Sequence, residues 1–379
     1  MRILTAASRL AAIGGLELAQ LEACRQLRER GHLIDLLYEQ RGDLYPEWTM
    51  LAGRGVRVDG YALRRGALLH SARSVMAVAV AVRRLAPDLV YAHHQHHSPS
   101  AVLGGKPVVC HLHLPPPPRR SAQEDLALRR AHGLIAVSRF TARQWSESLR
   151  IAPERFSIVH NGVDLQRFAP AKESRRQATR HALGLPSDRF LVLYAGRIDP
   201  DKGVDRALET ARQLDASEYH LAVAGEPNPG SFRGDEAAAR SYADGLRTSY
   251  ADAPVSWLGR LEDISSLIAA SDAVILPSRF DEPFGLVVLE TLASGVPIVA
   301  SAAGGIPEIL TGPLAASLMP SGEPGGFAQR LRELHNWRTA DPELGRRGRE
   351  HVARNFTLAR MGDALNRALE QALEGRARA

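Results

Sequence analysis

Two carboxylates and two cations are the residues of this chain whose types and spacing could do chemistry. Glu282 lies in Phe280-Asp-Glu-Pro-Phe-Gly285, and Glu290 follows it with seven residues between. Pro283 sits where helices begin, and Leu286, Leu289 and Leu292 recur at helical spacing, so a helix is predicted to start near Gly285. Gly295 ends it and Pro297 prevents its continuation. Glu282 then stands in a loop at the helix mouth and Glu290 inside the helix. At such a mouth the backbone N–H groups of Phe284, Gly285 and Leu286 lack intrahelical partners and can take anionic oxygens. Carboxylates accept hydrogen bonds from hydroxyls, so the stretch suits a polyhydroxylated anion. A solvated helix face behind an ordinary Asp-Glu-Pro helix start is the plainer alternative.

The cations are Arg197 and Lys202, in Gly196-Arg-Ile-Asp-Pro-Asp-Lys-Gly203. Only three of the 48 basic residues are lysine, which makes Lys202 conspicuous. An arginine fork and a lysine point charge, both expected at an exposed strand end, suit a diphosphate. Surface cations beside a turn are the alternative. Gly14-Gly15, between a first strand and a long helix, would let an anionic ligand approach the backbone, or would be an ordinary strand-to-helix loop. His111 and His113 end another strand, and a strand-end histidine bonded to backbone is the alternative for His113. Gly225 and Glu226, and Gly304-Gly305, are further loop candidates. His93, His94, His96 and His97 suggest a metal, but consecutive histidines do not share a face and no neighbouring carboxylate or cysteine completes a site. No metal is expected, and these histidines read as a polar loop.

These motifs resemble the retaining glycosyltransferases of the GT-B fold, family 4, also called glycosyl transferases group 1. Glu282 and Glu290 match E-x7-E. Their surroundings match PS-x3-EPFG-x4-E-x2-A-x-G-x-P-x-VA-x4-G-x-PE, and Gly196–Gly203 matches GR-x4-KG. The resemblance covers nearly the whole chain and is densest from Gly196 to Glu308. It implies two Rossmann-like domains facing a cleft and a metal-independent transfer from a nucleotide-diphosphate sugar. Arg197 and Lys202 would stabilise the leaving diphosphate. Glu282 would meet the transferred sugar and Glu290 the ribose. Gly14-Gly15 would contact the donor phosphate, and His113 would approach the reacting centre. Donor contacts would also come from Gly225, Glu226, Phe284, Gly285 and Leu286. The attack is expected from the front face, the departing phosphate accepting the acceptor's proton. The acceptor is open (glycan, lipid or small molecule), with cell-envelope glycan synthesis as the implied setting. A nucleotide-sugar epimerase of the same fold, or a non-catalytic basic binding protein, remains the alternative.

The elements that must position these residues follow from hydrophobic patterning. Strands are predicted at Arg2–Ala6, His32–Tyr38, Asp88–Ala92, Pro107–Leu112, Gly133–Val137 and Phe156–His160, with helices between them. Residues 41–65 are expected to be an irregular surface loop. Turn chemistry at Asn161–Phe168 and a Pro/Lys/Arg-rich stretch at Ala169–Arg176 mark a boundary. The alternation then restarts with strands at Phe190–Ala195, His220–Ala224, Val255–Leu258 and Asp272–Pro277. Repeated β-α-β order argues parallel sheets covered by helices. The expected fold class is α/β: an acceptor-side domain over 1–166, a nucleotide-sugar domain over 167–355, and a terminal helix, 356–379, returning to the first.

The 379 residues suffice for two domains, and 45% hydrophobic with 24% charged residues is ordinary for a globular protein. A net charge of +6 admits an anionic ligand or peripheral contact with a membrane surface. No basic stripe interleaved with aromatics argues for nucleic acid. Two cysteines outside any C-x-x-C pair, no leader and no apolar run of spanning length suit the cytoplasm.

Overall fold

The computed structural model describes residues 1–12, 14–61, 68–320 and 324–377. The chain divides into two compact units, Met1–Gly162 with Leu358–Ala379, and Val163–Thr357. The sequence reading places these boundaries at 166/167 and 355/356.

In the first unit seven strands are β1 (Arg2–Arg9), β2 (Leu33–Gln40), β3 (Arg54–Arg57), β4 (Leu89–Ala92), β5 (Val108–Leu112), β6 (Gly133–Ala136) and β7 (Phe156–Ile158). They form one sheet in the order β3-β2-β1-β4-β5-β6-β7, every pair parallel. β4 and β5 are buried along their whole length, as strands covered on both faces must be. Residues 41–65 are not the irregular loop expected. They hold a helix, Tyr45–Leu51, and the edge strand β3, while 62–65 lie outside the described residues. The helix was hidden by its brevity; Pro46 at its start and buried Trp48 and Leu51 hold it. The terminal helix, Leu358–Ala377, belongs to this unit. Its Met361, Leu365, Leu369 and Ala372 share a core with Leu21, Cys24 and Leu27 of the helix Gly15–Glu29. The Arg30–Asp363 ion pair, at 2.7 Å, fixes its start.

In the second unit the strands are β8 (Phe190–Ala195), β9 (Tyr219–Ala224), β10 (Val255–Gly259), β11 (Ala273–Leu276), β12 (Ile298–Ser301) and β13 (Leu318–Met319). Their order is β10-β9-β8-β11-β12-β13, again parallel. The Ala169–Arg176 stretch read as a linker contains the start of a helix, Glu173–Ala182. Its arginines serve packing. Arg176 and Arg180 reach Asp272 at 2.5 and 2.6 Å, and Arg338 adds a third contact at 3.1 Å. Asp272 also accepts the Leu191 N–H at 2.8 Å, so this one carboxylate locks the start of β11 to β8.

Burial raises the Asp272 pKa, but Arg180, the Leu191 N–H and Arg176 outweigh it and hold the carboxyl below its ordinary range. Its contribution is therefore complete above the ordinary aspartate pKa of about 3.9 and is lost as pH falls through the lower folded-state value. Asp272→Ala would leave buried Arg180 without an ion pair and buried Arg176 with only the exposed carboxylate of Glu173. A loss of about 3–5 kcal/mol is expected in denaturant unfolding, whereas a change under 1 kcal/mol would show the cluster to be dispensable.

Both sheets reverse direction of growth at one point, between β1 and β4 in the first and between β8 and β11 in the second. In open parallel sheets the carboxyl ends flanking such a point are where ligands bind. Gly14, His93 and His113 follow β1, β4 and β5; Arg197, Lys202 and Glu282 follow β8 and β11.

Candidate active site

In the second unit β8 and β11 are neighbours, with Ala273 opposite Val192 and Val274 opposite Leu193. Adjacent strands bring their following loops together, although those loops are far apart in sequence. The first loop is shaped by Asp199. Its buried carboxylate accepts the Lys202 N–H at 3.0 Å and caps the turn Pro200–Lys202. The Asp201 carbonyl then accepts the N–H groups of Arg279 and Phe280, at 2.8 and 3.0 Å. The Arg279 guanidinium grips Asp205 through two bonds of 2.6 and 2.5 Å. Backbone and side chain together fasten the two loops to each other.

That fastening makes the central contact. Lys202 Nζ lies 2.6 Å from Glu282 Oε1, and Ser278 Oγ donates to the same oxygen at 2.8 Å. The two charged side chains are only 19% and 8% exposed. The expectation of two exposed cations is therefore half corrected. Arg197 is 46% exposed, with Nε 3.4 Å from Asp199 Oδ2, whereas Lys202 is largely buried and paired. The sequence could not pair Lys202 with Glu282, because the contact spans two loops joined only through the sheet.

Two glycines among the candidates act by close approach to this framework. Gly225 has φ +157°, and a Cβ there would stand 1.8 Å from the Gly196 carbonyl oxygen. It lets the β9 end pack against the backbone that carries Arg197; exposed Glu226 contributes its carbonyl to Ile198 N–H at 2.8 Å. Gly304 has φ +63°, and its Cβ would stand 2.1 Å from the Glu282 carbonyl oxygen. The Gly305 N–H donates to that oxygen at 2.7 Å. Gly304-Gly305 thus seats Glu282 from behind.

The helix predicted near Gly285 runs from Leu286 to Ala293, with Gly285 as its cap. The Phe284 side chain is 2% exposed and packs on Phe356 at 5.8 Å between ring centres, so it turns into the core. Only its backbone can face a ligand. Glu290 is partly buried, and burial pushes its carboxyl up to about 7, against the opposing pull of Arg167. Unlike Glu282, it has no side-chain ion pair among the described residues.

In the first unit Gly14 caps the helix Gly15–Glu29 with extended backbone. Its N–H donates to Glu17 Oε2 at 3.0 Å, so an internal carboxylate already occupies part of the anion-binding mouth expected there. Nothing among the described residues requires glycine at 14: of these a Cβ would meet only Glu17 Oε2, at 3.7 Å.

His113 is 6% exposed, and its Nε2 lies 3.3 Å from His93 Nδ1. Burial and then the neighbouring His94 push its pKa down to about 3, so it is a neutral imidazole at pH 7. His93 and His111 are buried and held neutral in the same way. The sequence reading missed this grouping by treating His93 to His97 as one consecutive run. The partners of His93 lie on the next strand.

Ser278, Asp199 and Asp205 were also missed as positioning residues. Ser278 had a signal, since it belongs to the PS-x3-EPFG pattern; Asp199 and Asp205 had none beyond their place near Lys202.

Residues 13–167 match the family described as Glycosyltransferase Family 4, and residues 175–351 that described as Glycosyl transferases group 1. A D-inositol 3-phosphate glycosyltransferase of Mycobacterium tuberculosis is 36% identical over 222 residues, which is 58% of this chain. The match spans 44% of that relative's length. Among solved structures, Anabaena Alr3699/HepE in complex with UDP superposes with a TM-score of 0.82 at 20% identity, covering 98% of this chain and 100% of that one. A glycosyltransferase from Rickettsia africae gives 0.82 at 17% identity over 100% of this chain and 99% of that one. Sucrose-phosphate synthase of Thermosynechococcus elongatus gives 0.75 at 20% identity over 98% and 99%. Both halves of the sequence carry the family's patterns and both sheets carry its fold: the chain belongs to the group 1, family 4 glycosyltransferases and adopts the GT-B fold.

Proposed function

We propose that the protein is a retaining glycosyltransferase that moves a sugar from a nucleotide-diphosphate donor to an acceptor hydroxyl. The observation that carries this reading is the fastened pair Lys202–Glu282 beside half-exposed Arg197. Departure of a nucleoside diphosphate builds negative charge on phosphate oxygens. Cations already fixed in place stabilise that charge most in the transition state, which is what accelerates a reaction. Glu282 holds Lys202 where the phosphate leaves and keeps Oε2 for the sugar: among the described residues only Oε1 is bonded. Glu290, in the helix behind the mouth, takes the ribose hydroxyls. No metal is assigned to the diphosphate in this reading, in which Arg197 and Lys202 are the groups that meet it.

His113, a neutral imidazole, presents an uncharged hydrogen-bonding group to the transferred sugar. Glycine at 14, which packing among the described residues does not require, leaves room for the donor phosphate. The family relation and the UDP and UDP-glucose complexes of Anabaena Alr3699/HepE support a nucleotide sugar as partner. No helix among the described residues is long and apolar enough to cross a membrane.

The test is a panel of nucleotide sugars scored for slow release of nucleoside diphosphate, which needs no acceptor. One donor should release its nucleoside diphosphate slowly, and once an acceptor is supplied its sugar should appear on the acceptor hydroxyl with the anomeric configuration retained. Conversion of the sugar to an epimer without transfer would favour the epimerase, and no release from any donor would favour a binding protein.

A further inference from the structure

We propose that His93, His111 and His113 form a binding site for one divalent transition-metal ion of the zinc class, built from residues other than the Arg197 and Lys202 assigned to the diphosphate. β4 and β5 are parallel with Ala92 opposite Cys110, so His93 and His111 emerge side by side at the strand ends. His111 and His113 are two residues apart and share a face of the extended chain. One nitrogen from each of the three lies within 4.8 Å of the others. His93 Nδ1 and His113 Nε2 are 3.3 Å apart. Two imidazoles on one tetrahedral zinc, each at about 2.0–2.1 Å, have nearly that separation.

The unfilled hydrogen-bonding capacity points the same way. Tyr91 Oη bonds His111 Nδ1 at 2.7 Å, leaving Nε2 for a ligand. That Nε2, and His113 Nδ1, are buried without any partner among the described residues. The three side chains are 2%, 1% and 6% exposed, and buried polar atoms ordinarily find partners. A metal bound by His93 Nδ1, His113 Nε2 and His111 Nε2 would satisfy that His111 nitrogen, with Tyr91 orienting His111 as outer partners of metal-bound histidines do. Imidazole suits zinc, copper and nickel rather than magnesium or calcium.

Occupation would also engage His113. If the role proposed for His113 holds, the metal withdraws it from the transferred sugar, and the loaded protein is the slower one. This second consequence rests on the proposed function; the binding itself does not.

The experiment is equilibrium dialysis of chelator-stripped full-length protein against Zn2+, with Co2+ as a spectroscopic substitute. About one tightly held equivalent per chain is expected, with the visible absorption of low-coordinate cobalt. His93→Asn/His111→Gln should bind at least about tenfold more weakly, while His94→Gln/His96→Gln should bind as the parent does. Loss in the second variant but not the first would overturn the site. So would a cobalt spectrum of the unmodified protein that stays octahedral, a result that requires no variant to fold. In the hydrolysis assay, Zn2+ should slow donor release, a chelator should restore it, and His111→Gln should hydrolyse at the parental rate without zinc sensitivity. Full hydrolysis by the zinc-loaded parent would overturn the withdrawal of His113. Absence of hydrolysis without zinc would instead sink the transferase reading, with the dialysis arm still deciding the site.

Discussion

Lys202→Ala should lower the turnover of the preferred donor by ~10²-fold or more, the usual loss when one fixed partner of developing charge is removed. The geometry adds a second expectation. Lys202 and Glu282 share one contact of 2.6 Å, so their losses cannot be independent. Removing the lysine also releases Glu282, and Glu282→Gln weakens the hold on Lys202. The double variant Lys202→Ala/Glu282→Gln should therefore lose less than the product of the single losses. Multiplicative losses in steady-state kinetics would show that the two side chains act separately.

Stability should distinguish the two cations. Lys202→Ala leaves a nearly buried carboxylate with Ser278 alone, at a cost of about 1–3 kcal/mol. Arg197 is 46% exposed, and Arg197→Ala should change stability by no more than about 0.5 kcal/mol while still costing ~10²-fold in turnover.

The other large effect is a pH dependence seated at Glu290. Its carboxyl is raised to about 7 in the ligand-free protein. A carboxylate that accepts hydroxyl bonds binds better than the neutral acid, so donor binding favours ionisation. Donor KM should fall as pH rises through about 7. In Glu290→Gln that limb should vanish and KM should stay high, by the roughly 1–3 kcal/mol of a lost charged hydrogen bond. Ribose hydroxyls do not change charge in the reaction, so kcat should change far less. The sign for stability is opposite. A carboxyl with a raised folded-state pKa makes the protein lose stability as pH rises from the ordinary glutamate range through the raised value. Glu290→Gln should remove that decline in the free protein. A flat KM profile in the parent would contradict the role; a stability decline that persists in the variant would contradict the shift.

How much of this was legible in the sequence differs from element to element. The buried parallel strands were readable because apolar runs such as Phe190–Ala195 have few other uses. The helix at Leu286 was readable from its leucines and from Gly295 and Pro297. The helix Tyr45–Leu51 was not, since seven residues give too short a period to separate from a loop. Arg176 stood in the boundary stretch Ala169–Arg176 and Arg180 just beyond it, and only the fold reveals Asp272 beneath them. The candidate residues were legible by type and spacing, but their partners were not. Lys202 meets Glu282, and His93 meets His111 and His113, through strands that are neighbours in the sheet and distant in the chain. Phe284 was read for its backbone N–H, and the fold adds what the motif did not show, that its ring belongs to the core.

The central claim is that Arg197 and Lys202 recognise the diphosphate of the donor. It is tested most directly by calorimetric titration of UDP, ADP and GDP, each beside its nucleoside, into the parent, Arg197→Ala and Lys202→Ala. One diphosphate should bind the parent well above its nucleoside, and each variant should weaken that diphosphate at least about tenfold, as loss of a charge-assisted contact requires, while leaving the nucleoside unchanged. Equal diphosphate affinity in parent and both variants would contradict the account.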